Sequence, residues 1–241
     1  MTKAIDVRLK WGLAGAKALL GDADVFVIVD VLSFSTAVDV AVGRGARVAP
    51  FPDRDREAAR QAATRIGAVC AERRDAPGAK FSLSPPTLEN LRRGETLLLP
   101  SPNGSAISAA LAGKRVFAGC LRNAAAIASA VRALAAGPVA VVPAGEHWPD
   151  GAYRPALEDW LGAGAILAAL TDDRPAELSP EAEAARTAFH AARPTLGATI
   201  RTCRSGLELI GRGFLEDVEC ALACDASGVA PRLVDGAYAE G

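Results

Sequence analysis

The run Val25-Phe-Val-Ile-Val-Asp-Val-Leu32 constrains the fold of this 241-residue chain more than any other stretch. It is almost unbroken in β-branched and aliphatic residues, the pattern of a strand buried on both faces of a parallel or mixed sheet. Its one polar residue is Asp30. A carboxylate at the C-terminal end of a buried strand costs on the order of several kcal/mol unless it is paired or bound to a cation. Ser33, Ser35 and Thr36 follow at once, and Thr36-Ala-Val-Asp39 reads as a helix N-cap with an acidic third position. Ligands bind at the carboxyl ends of strands in open α/β sheets, and helix N-termini attract anions. The competing explanation is that Asp30 caps the turn and does nothing more.

Further short apolar runs alternate with helical patterns along the chain. Strands are expected over Ala4–Leu9 (edge-like in its alternation), Arg47–Phe51, Ala68–Glu72, Thr96–Leu99, Val116–Ala118 and Val139–Val142, with Val229–Val234 as a closing strand. Helices are expected over Asp53–Ile66 with Asp53 as N-cap, over Asn123–Ala136 with Asn123 as cap, from Pro155 to Leu170, and over Pro180–Ala192. This alternation predicts an α/β fold, a three-layer α/β/α arrangement around a mixed, largely parallel sheet. No linker composition divides it, so residues 1–241 are expected to form one domain.

A net charge of −1, with half the residues hydrophobic, argues against nucleic acid or a charged membrane surface as partner. The 22 arginines against 5 lysines reflect a bias of the whole chain, so scattered arginines carry little functional signal. Trp160–Leu170, the longest apolar run, is too short to span a bilayer. Nothing near Met1 resembles a secretory signal. The five cysteines lack metal or disulfide spacing. Reduced thiols in a cytoplasmic protein are the expectation. The oligomeric state is open, a homodimer included.

Four strand-end loops hold the residues capable of chemistry. Ser101-Pro-Asn-Gly-Ser105 joins a strand to a helix: Gly104 permits close backbone approach, Asn103 and Ser105 offer polar side chains, and the amides that follow suit a phosphate. A plain Asn-Gly turn capped by Ser105 explains the same residues. The loop from Gly145 ends at Glu158-Asp159, where the helix macrodipole already favours carboxylates. The sharper reading brings Asp30, Glu158 and Asp159 together as hard oxygen ligands for Mg²⁺, completed by a substrate phosphate. Glu72-Arg73 and the Asp30 turn, with Ser35 and Thr36, are the other two loops. No phosphate-binding P-loop or dinucleotide-binding glycine motif is present. His147 and His190, the only histidines, are too few for a histidine-rich metal centre.

Asp30-Val-Leu-Ser-Phe-Ser-Thr36, Pro102-Asn-Gly-Ser105, Gly119-Cys-Leu-Arg-Asn-Ala124 and Ala144-Gly…Leu157-Glu-Asp…Gly164-Ala-Ile166, in that order, resemble the 2-phosphosulfolactate phosphatase family. Gly213-Phe-Leu-Glu-Asp217-Val…Cys220 extends the resemblance over most of the chain. It implies an α/β/α fold and a Mg²⁺-dependent phosphatase acting on the phosphate ester of a small sulfonated hydroxy acid. It further implies Asp30, Glu72, Glu158 and Asp159 as acidic site residues, with Asn103, Gly104, Ser105 and Asn123 lining the phosphate and Arg73 retained near the substrate. A catalytically idle binding protein for a small anion is the alternative.

The chain departs from the family pattern at two places. Ser33 stands where the family usually carries Arg, and the loop from Glu72 to Ser82 is rebuilt, with Ser82 in place of Asp. A sulfonated ester needs fixed cationic donors, and losing one charge-assisted contact is worth ~1.5–3 kcal/mol. The departures therefore predict poor discrimination for a sulfonate, unless a neighbour such as Arg74 or Arg122 replaces the missing group.

Overall fold

The computed structural model describes residues 4–53, 55–173 and 175–240. Among them, β1 (Ile5–Leu9), β2 (Val25–Val29), β3 (Arg47–Phe51), β4 (Val69–Cys70), β5 (Thr96–Pro100), β6 (Arg115–Gly119) and β7 (Val139–Pro143) supply most of one sheet. A separate ribbon pairs β8 (Glu146–His147) with β9 (Tyr153–Arg154). The large sheet is completed by β10 (Ala176–Leu178), β11 (Pro231–Val234) and β12 (Ala237–Glu240). Its order is β10-β1-β7-β2-β6-β11-β12-β3-β5-β4. The pairs among β10, β1, β7, β2 and β6 are parallel, as are those joining β3, β5 and β4.

β2 is buried at every residue, as an aliphatic strand flanked by two parallel neighbours should be. Alternation sends Val25, Val27 and Val29 to one face, where they pack with Ile127, Ile166 and Leu170. Phe26 and Ile28 go to the other, against Val38, Leu88 and Leu97. Helices cover both faces, giving three α/β/α layers with β2 in the middle one.

Three details differ from the sequence reading. β1 is not an edge, because β10 pairs outside it. The helix α3 (Arg56–Arg65) is capped by Asp55, whose carboxylate accepts the Glu57 and Ala58 amides, while Asp53 accepts the Asp55 amide one turn earlier. The C-terminal run does not close the sheet from an edge. It forms a hairpin, β11–β12, wedged between the two parallel blocks and antiparallel to β6 and β3. Asp235 and Gly236 turn this hairpin with φ of 50° and 77°, the Asp-Gly signature of a two-residue turn. No helix among the described residues is long and apolar enough to cross a membrane.

Candidate active site

β2 and β7 run side by side in parallel, with Val29 opposite Pro143. The chain therefore leaves the sheet at Asp30 and at Ala144-Gly145 next to one another. Helix α6 (Leu157–Thr171) points its first turn at the same place, and both Glu158 and Asp159 are buried there. Asp159 accepts the Val31 amide through Oδ1 at 2.7 Å and the Gly145 amide through Oδ2 at 2.8 Å. It thus clamps together the two strand ends. Asp30 accepts the Phe34 amide through Oδ1 and the Gly104 amide through Oδ2, each at 3.1 Å. Helix α2 (Phe34–Gly43) consequently starts two residues before Thr36, since Asp30 itself satisfies the first helical amide.

The buried carboxylates act on one another electrostatically. Burial, then the charge on Glu146, pushes Asp30 up to about 7 against the pull of its two amide donors. Burial first, then Asp30 and Glu158, holds Asp159 well above the usual carboxylate range. Glu158 accepts the Cys203 thiol at 3.3 Å. That thiol is pushed up to about 12, by burial first and Glu158 second, so it stays protonated.

The donor set fits a hard divalent cation. Each oxygen of Asp30 and Asp159 accepts one amide and keeps a lone pair. Among the described residues no three His, Cys, Asp or Glu side chains converge into a ready-made cage. Mg²⁺ does not require one, because it is usually held by one or two carboxylates with water and substrate phosphate completing the shell.

The Asn103 loop meets the carboxylates from the opposite side. Helix α4 (Gly104–Ala110) begins against the Phe34 ring, and a Cβ on Gly104 would lie 2.1 Å from Phe34 Cδ1. Glycine is therefore required for the approach of this backbone to Phe34 and Asp30. Ser105 is buried and donates to the Leu99 carbonyl. Asn103 is 7% exposed, and its Oδ1 has no hydrogen-bond partner. A donor on a ligand would satisfy it, and a half-turn of the amide would instead present Nδ2 to a phosphate oxygen.

Several expected side chains are engaged elsewhere. Ser35 Oγ accepts the Asp30 amide and donates to Ile28, and Thr36 donates to Val31. Both hydroxyls build the turn from within. Asn123 likewise bridges the Cys120 amide and the Ala118 carbonyl. Glu72 is held bidentately by Arg60 at 3.1 and 3.0 Å, and its carboxylate lies lower than usual because of that pairing. Arg73 pairs with Asp75 on the exposed surface.

Arg74, not Arg73, reaches inward. Its Nη2 donates to Ser33 Oγ at 2.6 Å and its Nε to Asp217 at 2.8 Å, with the side chain 12% exposed. Asp217 also accepts from Ser84 Oγ. A guanidinium thus stands beside Ser33, where the departures had suggested an absent charge. Arg122 is committed to buried Asp39 at 2.9 Å. Glu146 is the acidic group that sequence reasoning did not single out. Its only sequence signal was its position just after Gly145 at the end of an apolar strand run, a glycine that the structure holds at φ of 68°.

The family model described as 2-phosphosulpholactate phosphatase matches residues 16–236. A "2-phosphosulfolactate phosphatase" of Methanothermobacter thermautotrophicus is 32% identical over 210 residues, 87% of each chain. A "Probable 2-phosphosulfolactate phosphatase" of Carboxydothermus hydrogenoformans is 32% identical over 202 residues, 81% of this chain and 80% of the relative. One of the same description from Thermotoga maritima is 26% identical over 215 residues, 88% of this chain and 90% of the relative.

Proposed function

From the premise that the chain belongs to the 2-phosphosulpholactate phosphatase family, we propose that it is a Mg²⁺-dependent phosphoric monoester hydrolase. Its substrate in this reading is 2-phosphosulfolactate, which water converts to 3-sulfolactate and phosphate. The observation that carries it is the pair Asp30–Asp159, one carboxylate at a strand end and one in the first turn of α6, both buried and both raised by burial first, with the charge of Asp30 adding to the rise at Asp159. Such a pair is costly without a cation.

Asp30 and Asp159 would hold the metal, with Glu158 behind them. Bound there, Mg²⁺ would polarise the phosphoryl group and neutralise charge developing on its oxygens. Asn103 faces the same region with a buried, unpartnered amide oxygen and is the side chain available to orient the ester. Glu146, partly exposed and close enough for its charge to raise Asp30, would take the proton from attacking water in this reading. The amides of Gly104 and Gly145 fix the two aspartates, so the site is set before substrate arrives. Five free thiols suit a reducing cytoplasm.

Phosphate release from 2-phosphosulfolactate, with Mg²⁺ and with chelator, tests the reading. Turnover that needs the cation supports it. Tight anion binding without turnover would instead make the chain a binding protein.

A further inference from the structure

A cavity of about 310 Å³ lies between the end of β5 and the loop that carries Arg73 and Arg74. Arg56, Arg74 and Arg212 line it together with Ser101 and Pro102, the residues that lead into Asn103. The acids on its rim are largely committed: Glu72 to Arg60, Asp75 to Arg73, and Asp53 to the Asp55 amide. Arg56 and Arg212 have no carboxylate at ion-pair distance among the described residues.

Two of these arginines are pre-set by one ring. The Arg74 and Arg212 guanidiniums lie 5.9 and 5.3 Å from the centroid of Phe214. Arg74 is fixed further by Asp217, Ser33 Oγ and the Leu83 carbonyl, which leaves its Nη1 edge free of hydrogen bonds. Asp217 balances Arg74, so the uncompensated positive charge at the cavity is that of Arg212 and Arg56, which an oxyanion there would pair. A sulfonate has three oxygens in a tetrahedral array and can engage two guanidiniums at once. A carboxylate matches a single planar fork.

We propose that this arginine-lined cavity is the subsite for a sulfonate carried beside the phosphoester, with Arg74 and Arg212 as the specificity-determining residues. The inference rests on the phosphatase reading of the adjacent carboxylates. Ser33 lies three residues from Asp30 and accepts from Arg74, so Arg74 ties the cavity to the turn that carries Asp30. Selectivity that the loss of a cation at position 33 would remove is restored from another loop.

The test compares kcat/KM for 2-phosphosulfolactate and phospholactate, which differ in the sulfonate. The wild type should prefer the sulfonate by roughly ten- to a hundred-fold, the worth of one charge-assisted contact. Arg212→Ala and Arg74→Lys should each cut that preference about tenfold. Should Arg74→Lys not fold, exposed Arg212 carries the comparison alone. A preference left unchanged by Arg212→Ala, or absent from the wild type, overturns the subsite. Calorimetric binding of 3-sulfolactate against lactate keeps the two readings apart. If neither ester is hydrolysed, the phosphatase reading fails, and sulfolactate binding that Arg212→Ala weakens tenfold still upholds the subsite. Sulfolactate binding indifferent to Arg212 sinks it.

Discussion

Asp159 accepts the backbone amide of Val31 at 2.7 Å, so the carboxylate that enters from helix α6 sits one residue past Asp30. One hydrogen bond therefore joins the first turn of a helix to the end of a strand more than a hundred residues earlier. It also brings two acids to a place where, among the described residues, no cationic side chain pairs with either.

The first consequence is a pH-dependent stability that a divalent cation should reverse. Asp30 in the folded protein lies at about 7, above its unfolded value, and Asp159 is raised as well. A raised folded value means that the contribution to stability is complete below about pH 4 and is lost as pH rises through about 7. Thermal melts in chelator should show Tm falling between pH 5 and pH 8, and Asp30→Asn should flatten that fall. Mg²⁺ should raise Tm more at pH 8 than at pH 5. Equal Tm with and without Mg²⁺ at pH 8 would remove the electrostatic case for a bound cation.

Gly104 offers a test of the local packing. Gly104→Ala drives a Cβ into the Phe34 ring at 2.1 Å and displaces the amide that holds Asp30. A loss of ~1–3 kcal/mol in stability is expected, together with a large fall in activity. Gly211→Ala is the control, because nothing lies within 4 Å of its Cβ and its φ is ordinary. It should be neutral or slightly stabilising. Urea denaturation of both variants gives the comparison, and equal stabilities would show that Phe34 moves aside freely.

Much of this site was legible in the sequence, and what was not has physical reasons. Asp30 stood out because it was the only polar residue in a buried strand. Glu158-Asp159 stood out because acids gather at helix starts. Parallel order then placed both at one end of the sheet. The hydroxyls of Ser35 and Thr36 and the amide of Asn123 looked equally suited to a ligand, yet each closes a backbone bond in its own turn. Residue type reports hydrogen-bonding capacity and not which partner uses it. The Arg74–Ser33 contact spans a loop whose path no local pattern fixes, so Arg74 could be named as a replacement for the missing cation but not chosen over Arg122. The β11–β12 hairpin carried its Asp-Gly signal, but strand patterns do not reveal where in a sheet a hairpin inserts.

Two glutamates now divide in expectation. Glu72 is tied to Arg60 at a partly exposed position, whereas the charge on Glu146 raises Asp30. Glu72→Gln should change kcat less than about threefold and stability by less than ~1 kcal/mol, as for other exposed ion pairs. Glu146→Gln should lower kcat by roughly 10²–10⁴ if it takes the proton from water. Steady-state kinetics on the two variants decide between them, and the reverse ranking would return Glu72 to the centre of the site.

The most direct measurement of the central claim is phosphate release from 2-phosphosulfolactate by the purified wild type and by Asp159→Asn, each with Mg²⁺ and with chelator. The wild type with Mg²⁺ should turn over, chelator should abolish turnover, and Asp159→Asn should lose on the order of 10²-fold or more in kcat while still melting cooperatively in chelator, at a Tm lowered by the loss of one amide acceptor. Turnover undiminished by chelator, or by loss of the Asp159 charge, would contradict an active site built on Asp30 and Asp159.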